Sequence, residues 1–557
     1  MMTLRPLSVA SAVFWGTFTL VAFGADAPQT PGGSHPLSPT GAPDPSLFAL
    51  SDECQACHNR LTSPDGHDIS IGTSWRGTMM ANSARDPYFH ASVRREVMDH
   101  SSAAAVIEDE CAACHLPAAR AAARAAGVRG SVFAHLSGAL STRPTALDDL
   151  GADGVTCTVC HQIAPDGLGT RERFNGNFAL ASALPSGARP AFGPFAPDVG
   201  RRRIMHSVTG FEQTQGDHIR QSEFCASCHT LITEALGPDG RVIGSLPEQM
   251  NYQEWRHSAF ATEGRSCQSC HMPEVAGPVR VSSVLGHDRE RMGRHAFIGG
   301  NAFILRLMNR HRADLGIAAL SAELEATADA TVRQLERDTA TVAFERATMS
   351  GGILVLDVVV TNLTGHKLPT GYPSRRAWLH LTARDAEGRV LFESGRVREN
   401  GAIDGNASDV DGAAFEPHHA EITRTDEVQI YESIMGTSAG MPTTGLLQAT
   451  GYLKDNRLLP RGFDKGTAPA EIAVMGAAAG DDDFSGGSDR VRYRVPVSVA
   501  GVVTVDVELR YQPIAYRWAQ NLALYDAAEP KRFVGYFNAM ASESSTVVAT
   551  ATRTVGP

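Results

Sequence analysis

The pattern of apolar positions changes near residue 320 of this 557-residue chain. Residues 318–335 carry apolar side chains at helical spacing without Gly or Pro, which predicts a helix. Beyond it, apolar and polar positions alternate, as in residues 503–509, and this favours half-buried strands. The predicted strands are residues 353–360, 377–382, 390–393, 428–431, 490–495 and 502–509. Short strands separated by turn residues predict an antiparallel β-sandwich.

Before residue 320 the pattern predicts short helices joined by loops. The Ala-rich residues 116–126 and residues 96–110 have helical spacing, and Pro117 suits the opening turn of the first. Residues 166–169 and 185–197 contain turn-forming residues and predict loops.

The N-terminus predicts export. Residues 1–24 combine Arg5, an apolar run at 8–23 and a small-residue cleavage site, as a secretory signal peptide does. An uncleaved anchor is the alternative. Residues 25–50 are rich in Pro, Gly, Ser and Thr and predict a disordered leader. We therefore expect a soluble mature protein in the periplasm or outside the cell.

All ten cysteines belong to five copies of Cys-x-x-Cys-His. In this attachment signature of c-type haem, two thiols bond one haem and the histidine binds its iron. One helical turn separates the ends of the motif, so both sulfurs reach one porphyrin edge. The predicted attachment cysteines and proximal histidines are Cys54, Cys57 and His58; Cys111, Cys114 and His115; Cys157, Cys160 and His161; Cys225, Cys228 and His229; and Cys267, Cys270 and His271.

Three other interpretations fit the cysteines less well. A disulfide framework does not need a histidine after each second cysteine. Structural zinc needs matched pairs or distant histidines. A redox dithiol needs one site, not five. Five covalently attached haem c groups, with their iron, are therefore the predicted cofactors.

The predicted organisation is multidomain. A mainly α-helical or irregular pentahaem domain covers residues 51–317, a connecting helix residues 318–340, and a β-rich, sandwich-like domain residues 341–557. Because little protein surrounds each motif, we expect the porphyrins to supply much of the apolar core of the first domain.

The sixth iron ligand decides whether a haem can bind a substrate. Fifteen histidines remain once the proximal five are set aside. Those with the most favourable sequence context as distal ligands are His100, His135, His206, His218, His295 and His366.

Two segments share the pattern Trp-Arg-x-(Ser/Thr)-x-x, beginning at Trp75 and Trp255. Many multihaem cytochromes have an iron-binding histidine at its last position, where this chain has Met80 and Phe260. Met80 could bind iron as a thioether or pack as a core methionine. Phe260 cannot bind iron. Either His257 or another segment therefore supplies the ligand, or one haem is open.

His366 lies in Thr-Gly-His-Lys-Leu-Pro-Thr-Gly, a strand end followed by a turn. Such a turn could present the histidine to a haem of the first half. The alternative is a turn histidine bonded to the local backbone.

The chain resembles multihaem c-type cytochromes of the cytochrome c-554-like group, in a larger form with a C-terminal β domain. The matching stretches are residues 154–163, 222–231, 267–273 and 364–373. The resemblance implies electron transfer through closely stacked haems, most of them with two histidine ligands.

The expected function is electron transfer between redox partners outside the cytoplasm, some of them membrane-bound or extracellular. The alternatives are a reductase that acts on a small oxidised substrate at an open haem, and a structural or filament-forming cytochrome. The net charge of −11 argues against nucleic acid as a partner.

Overall fold

The computed structural model describes residues 45–136, 144–497 and 501–556. The predicted signal peptide and the first twenty residues of the predicted leader lie outside this part. Residues 45–50, predicted as the end of the leader, are instead folded, with Phe48 and Ala49 buried. In the described part of the chain, none of the helices has the length and apolar character needed to cross a membrane.

Short helices and small sheets form the first half. The helices are α1 Ser51–Gln55, α2 Ile71–Arg76, α3 Pro87–Asp99, α4 Ala104–His115, α5 Pro117–Ala125, α6 Phe133–Leu136, α7 Ala146–Ala152, α8 Cys157–Cys160, α9 Val199–Thr209, α10 Ser222–Ala226, α11 Asn251–Arg256, α12 Ala259–Thr262, α13 Cys267–His271 and α14 Ala302–Arg310. The strands pair as β1 Arg189–Gly193 with β2 Phe211–Gln215, β3 Leu231–Leu236 with β4 Val242–Gln249, and β5 Val279–Arg280 with β6 Asp288–Arg289. The sequence pattern missed these strands, and β1 lies inside a predicted loop.

The helix predicted over residues 96–110 is interrupted. α3 ends at Asp99, a 3-10 turn covers Ser101–Ala103, and α4 begins at Ala104. The prediction for α5 is confirmed, with Pro117 in its first turn, where its missing N–H costs nothing.

The second half begins with α15 Ser321–Asp338, which starts and ends three residues later than predicted. A four-stranded sheet has the order β11 Glu421–Ile422, β15 Ser488–Pro496, β8 Ile353–Asn362 and β7 Ala340–Ser350. A larger sheet has the order β13 Pro442–Thr443, β12 Ile430–Thr437, β9 Arg376–Arg384, β16 Val503–Gln512 and β17 Thr546–Val555, with β10 Val390–Ser394 on β9 and β14 Ala449–Asp455 on β12. Three helices complete this half: α16 Ala407–Val410, α17 Tyr516–Leu522 and α18 Ala528–Met540.

One hydrophobic core contains side chains of both sheets, such as Leu356 and Val358 of β8 and Val505 and Val507 of β16. The alternation predicted for residues 503–509 is confirmed, because every second side chain of β16 is buried. Helices and several sheets are thus shown. The β-sandwich as a domain of its own, and the predicted domain boundaries, stay predictions.

A second core joins the first half of the chain to its C-terminal helices. Tyr88 of α3 and Phe303 of α14 pack with Trp518 of α17 and Phe533 of α18. The sequence pattern did not predict this contact, because an apolar helix face does not specify which element it packs against.

Candidate haem-binding cavity

Each Cys-x-x-Cys-His motif lies in or at the end of a short helix: α1, α4, α8, α10 or α13. In three motifs the histidine amide donates a hydrogen bond of 3.0 Å to the carbonyl of the first cysteine, namely His58 to Cys54, His161 to Cys157 and His229 to Cys225. That bond closes one helical turn, so the two thiols and the imidazole of a motif emerge close together.

All ten cysteines and all five motif histidines line one continuous cavity of about 3310 Å³. A single ligand pocket usually occupies about 300–1,000 Å³. Exposed apolar side chains of α9, such as Ile204 and Val208, also border it. The space therefore suits several large apolar groups rather than one small molecule.

The motif histidines are oriented by backbone carbonyls. In four of them, Nδ1 donates a hydrogen bond to a backbone carbonyl: His58 to Val281 (2.6 Å), His115 to Ser83 (3.2 Å), His161 to Phe192 (2.5 Å) and His271 to Ile298 (2.6 Å). For His229 the described residues supply no such carbonyl. A bond at Nδ1 leaves the Nε2 lone pair free, which is how proteins orient histidines that bind a metal.

Burial favours the neutral imidazole at four of the motif histidines. It lowers the pKa of His115 and of His229 to about 4, and it also lowers the pKa of His58 and of His161. Neutral imidazole is the form that binds metals.

Two motif histidines face a second histidine across the cavity. The ring centres of His161 and His295 lie 6.2 Å apart at 17°, and those of His271 and His366 lie 6.3 Å apart at 16°. Two imidazoles that bind one metal through nitrogens about 2 Å away have ring centres roughly 6 Å apart. Both pairs therefore leave room for one iron.

The two facing histidines are themselves oriented. Nδ1 of His295 donates to Gly293 (3.1 Å), and Nδ1 of His366 donates to Lys367 (2.9 Å). Burial lowers the pKa of His295 to about 3. His366 thus makes a hydrogen bond to the local backbone and also faces His271, so the two alternatives for this residue are not exclusive.

The position of Phe260 is explained by the same turn. A Cβ on Gly365 would come within 3.1 Å of the Phe260 ring, so the glycine lets the turn lie directly on this ring. Phe260 is buried there, and the neighbouring His366 faces the cavity. The turn that carries His366 therefore occupies the space beside the position where the Trp255 segment has Phe260.

Met80 is half-buried and lines the cavity, and its backbone carbonyl accepts a hydrogen bond from Val155. His257 does not line the cavity, because its Nε2 donates to the Asp464 carbonyl at 3.0 Å.

Four of the predicted distal ligands are not brought to a motif histidine in the described part of the chain. His135 pairs with Asp148 at 2.9 Å, and His206 pairs with Glu212 at 3.5 Å from the exposed side of α9. His218 donates from Nε2 to Ile163, and His100 is buried with an unpartnered Nε2. None of the four, His100, His135, His206 and His218, lines the cavity. Nearness to a motif in sequence was therefore a poor guide to nearness in space.

Three motif histidines, His58, His115 and His229, have no facing histidine ring among the described residues. The ring of His115 is stacked at 3.7 Å on Phe89, which fixes its plane. His287 also lines the cavity, although its sequence context did not single it out.

Arg375 is a cation of the cavity wall that the sequence analysis missed. Its Nη1 donates to the Thr370 carbonyl at 2.7 Å, and no described carboxylate pairs with its guanidinium. Haem carries two propionates, and Arg is well suited to bind carboxylates. The charge of Arg375 therefore fits the same cofactor as the cysteines do.

Zinc fits these residues poorly. Among the described residues, no three ligand atoms of the cavity cysteines and histidines converge within 4.8 Å. The ten cysteines are free thiols in the structure. The donor set, the ring separations and the cavity together fit covalently attached haem.

Outside the cavity, His418, Asp481 and Asp489 place ligand atoms within 4.8 Å of one another. Nδ1 of His418 accepts hydrogen bonds from the side-chain amides of Gln429 (2.8 Å) and Asn456 (3.1 Å). The oxygens of both amides accept backbone N–H groups, which fixes their orientation. The imidazole proton is therefore on Nε2, which donates to Asp481. With no free lone pair on the ring, this group is a hydrogen-bond network rather than a metal site.

No protein-family model matches this chain, and no curated protein sequence matches it. A solved structure with a similar fold is the crystal structure of a penta-heme cytochrome c552 from Thermochromatium tepidum. The similarity covers 92% of this chain and 100% of that chain, with a TM-score of 0.52 and 17% sequence identity. At this identity the similarity shows that the fold is related to that of a multihaem c-type cytochrome.

Proposed function

We propose that this chain is a pentahaem c-type cytochrome that transfers electrons between redox proteins outside the cytoplasm. The observation that carries the proposal is the single cavity lined by all five motifs, in which two motif histidines face a second histidine at the separation one iron requires. Covalently bound haem supplies one-electron redox chemistry. The chain would bind the cofactor through its thiols and orient it through its imidazoles.

The attachment sites are neighbours in an order that differs from the sequence. Cysteines of different motifs are close neighbours: Cys54 of the first motif lies beside Cys157 of the third, Cys114 of the second beside Cys228 of the fourth, and Cys225 of the fourth beside Cys267 of the fifth. Cys160 of the third motif also lies near Cys225 of the fourth. These contacts support a continuous electron path through all five sites, with a branch at the fourth.

We expect the purified chain to contain five haems, and the double variant Cys267→Ala/Cys270→Ala to contain four. The reason is that each motif has its own two thiols and its own stretch of cavity wall. The pyridine haemochrome assay, normalised to protein concentration, measures the count. A wild-type value below five, or a double variant with an unchanged value, would contradict the assignment. Rapid oxidation of the reduced protein by a small oxidised c-type cytochrome tests the transfer itself.

The three motif histidines without a facing histidine favour a second candidate function, a reductase that acts on a small oxidised substrate at an open haem. We expect the reduced protein to bind carbon monoxide at no more than three haems per chain, because the His161 and His271 sites are closed by a second imidazole. Titration of the Soret difference spectrum measures this number. If no carbon monoxide binds, every haem has two protein ligands and the reductase is excluded.

A further inference from the structure

Glu254 is a buried carboxylate at the contact between the two halves. It belongs to α11, in the half that carries the motifs, and its side chain is 0% exposed. A buried carboxylate is costly unless it is paired and hydrogen-bonded. All the partners described for its side chain come from the other half of the chain.

Two of those partners belong to the turn that carries His366. The Glu254 carboxylate accepts hydrogen bonds from the backbone N–H of Lys367 (3.1 Å) and the hydroxyl of Thr370 (2.5 Å), and it forms an ion pair with Arg457 (2.9 Å). One bond is thus made by the residue next to His366, and a second by the end of the same turn.

The other side of the turn is held by its own half. The side-chain amide of Asn362 donates to the carbonyl of His366 at 2.9 Å. Two contacts described here join the turn to the motif-bearing half: the packing of Gly365 on the Phe260 ring and the hydrogen bonds to Glu254. Of these, the hydrogen bonds to Glu254 are the polar ones.

The charges around Glu254 are balanced. Asp455 lies 2.7 Å from both the Lys367 ammonium and the Arg457 guanidinium, and all four side chains are buried. Two cations and two anions form one network without excess charge, so loss of one carboxylate leaves a buried cation uncompensated.

We propose that Glu254 is the positioning residue that holds His366 over His271. This inference rests on the proposed function, because it takes these two histidines as ligands of one haem. A displacement of about 1 Å is enough to disrupt such a site, and Glu254 fixes the backbone on which His366 is carried.

The test compares Glu254→Ala and Glu254→Gln with Glu263→Gln. Glu263 is the matched control, because it also joins the two halves through an ion pair, to Arg461 at 2.7 Å, but is exposed. Each variant is prepared as the full chain, and the haem count is measured first. The readouts are carbon monoxide stoichiometry in the reduced state and the low-spin signals in electron paramagnetic resonance spectra.

We expect Glu254→Ala to bind one more equivalent of carbon monoxide than the wild type and to lose one low-spin signal, while Glu263→Gln matches the wild type. Adding His366→Ala to Glu254→Ala should produce no further change, because both substitutions open the same haem. Glu254→Gln keeps the shape of the side chain but not its charge, so we expect a smaller rise in carbon monoxide binding. This variant also provides the test if Glu254→Ala does not fold. Variants that are merely less stable, with unchanged spin states, would overturn the inference.

These readouts do not depend on electron transfer. A wild type with fewer than five haems would contradict the proposed function. Five haems with unchanged spectra in both Glu254 variants would contradict only the role of Glu254.

Discussion

Replacing His295 with alanine should open a single haem and leave the other haems unchanged. His295 faces His161 at 6.2 Å, so its removal leaves this haem with one protein ligand. We expect carbon monoxide binding to rise by one equivalent per chain in the reduced protein. One low-spin signal should disappear from the electron paramagnetic resonance spectrum of the oxidised protein.

Two further variants make this prediction specific. His295→Met offers a thioether in place of the imidazole, and we expect the haem to stay closed with a raised reduction potential. His257→Ala is the control, because His257 bonds the Asp464 carbonyl away from the cavity. If His295→Ala binds no more carbon monoxide than His257→Ala, then His295 is not the ligand.

Replacing Asp455 with alanine should lower the free energy of unfolding by about 3–5 kcal/mol, the usual result of removing one partner from a buried ion pair. Asp455 lies 2.7 Å from both Lys367 and Arg457, and each of these side chains is buried. Of the hydrogen bonds described for the Lys367 ammonium, the one that remains without the carboxylate is a long one, 3.4 Å, to the Ala473 carbonyl. Denaturant unfolding of the haem-loaded protein, followed by circular dichroism, measures the loss.

The matched control is Asp426→Ala. Asp426 pairs with Arg424 at 2.8 Å, but about two thirds of each side chain is exposed. Solvent-exposed pairs contribute about 0–1 kcal/mol, so this variant should be nearly as stable as the wild type. Equal losses in the two variants would show that the buried ion pairs of Asp455 contribute no more to stability than an exposed pair does.

The strands that the sequence pattern missed in the second half are edge strands. β7 and β17 lie at the ends of their sheets. An edge strand has a partly solvated face and tolerates polar residues, so its alternation is weak. The central strands β8 and β16 are largely buried, and the sequence pattern predicted both.

The sequence identified the candidate distal ligands but could not rank them. His295 and His366 were among the predicted distal ligands and face motif histidines, but nothing in the sequence placed them above His100, His135, His206 and His218. The Phe260 anomaly was visible in the sequence, whereas its explanation required the contact between Gly365 and the Phe260 ring.

By itself the sequence determined the chemistry of attachment, because two thiols and one histidine that act on the same haem lie within five consecutive residues and one helical turn. It also determined the change from short helices to strands near residue 320. Only the tertiary structure decided which histidines face one another across the cavity, which motifs are neighbours, and how Glu254 joins the halves. The physical reason is that a second ligand must arrive from the opposite side of the cofactor, and it can therefore come from any part of the chain that the fold brings there.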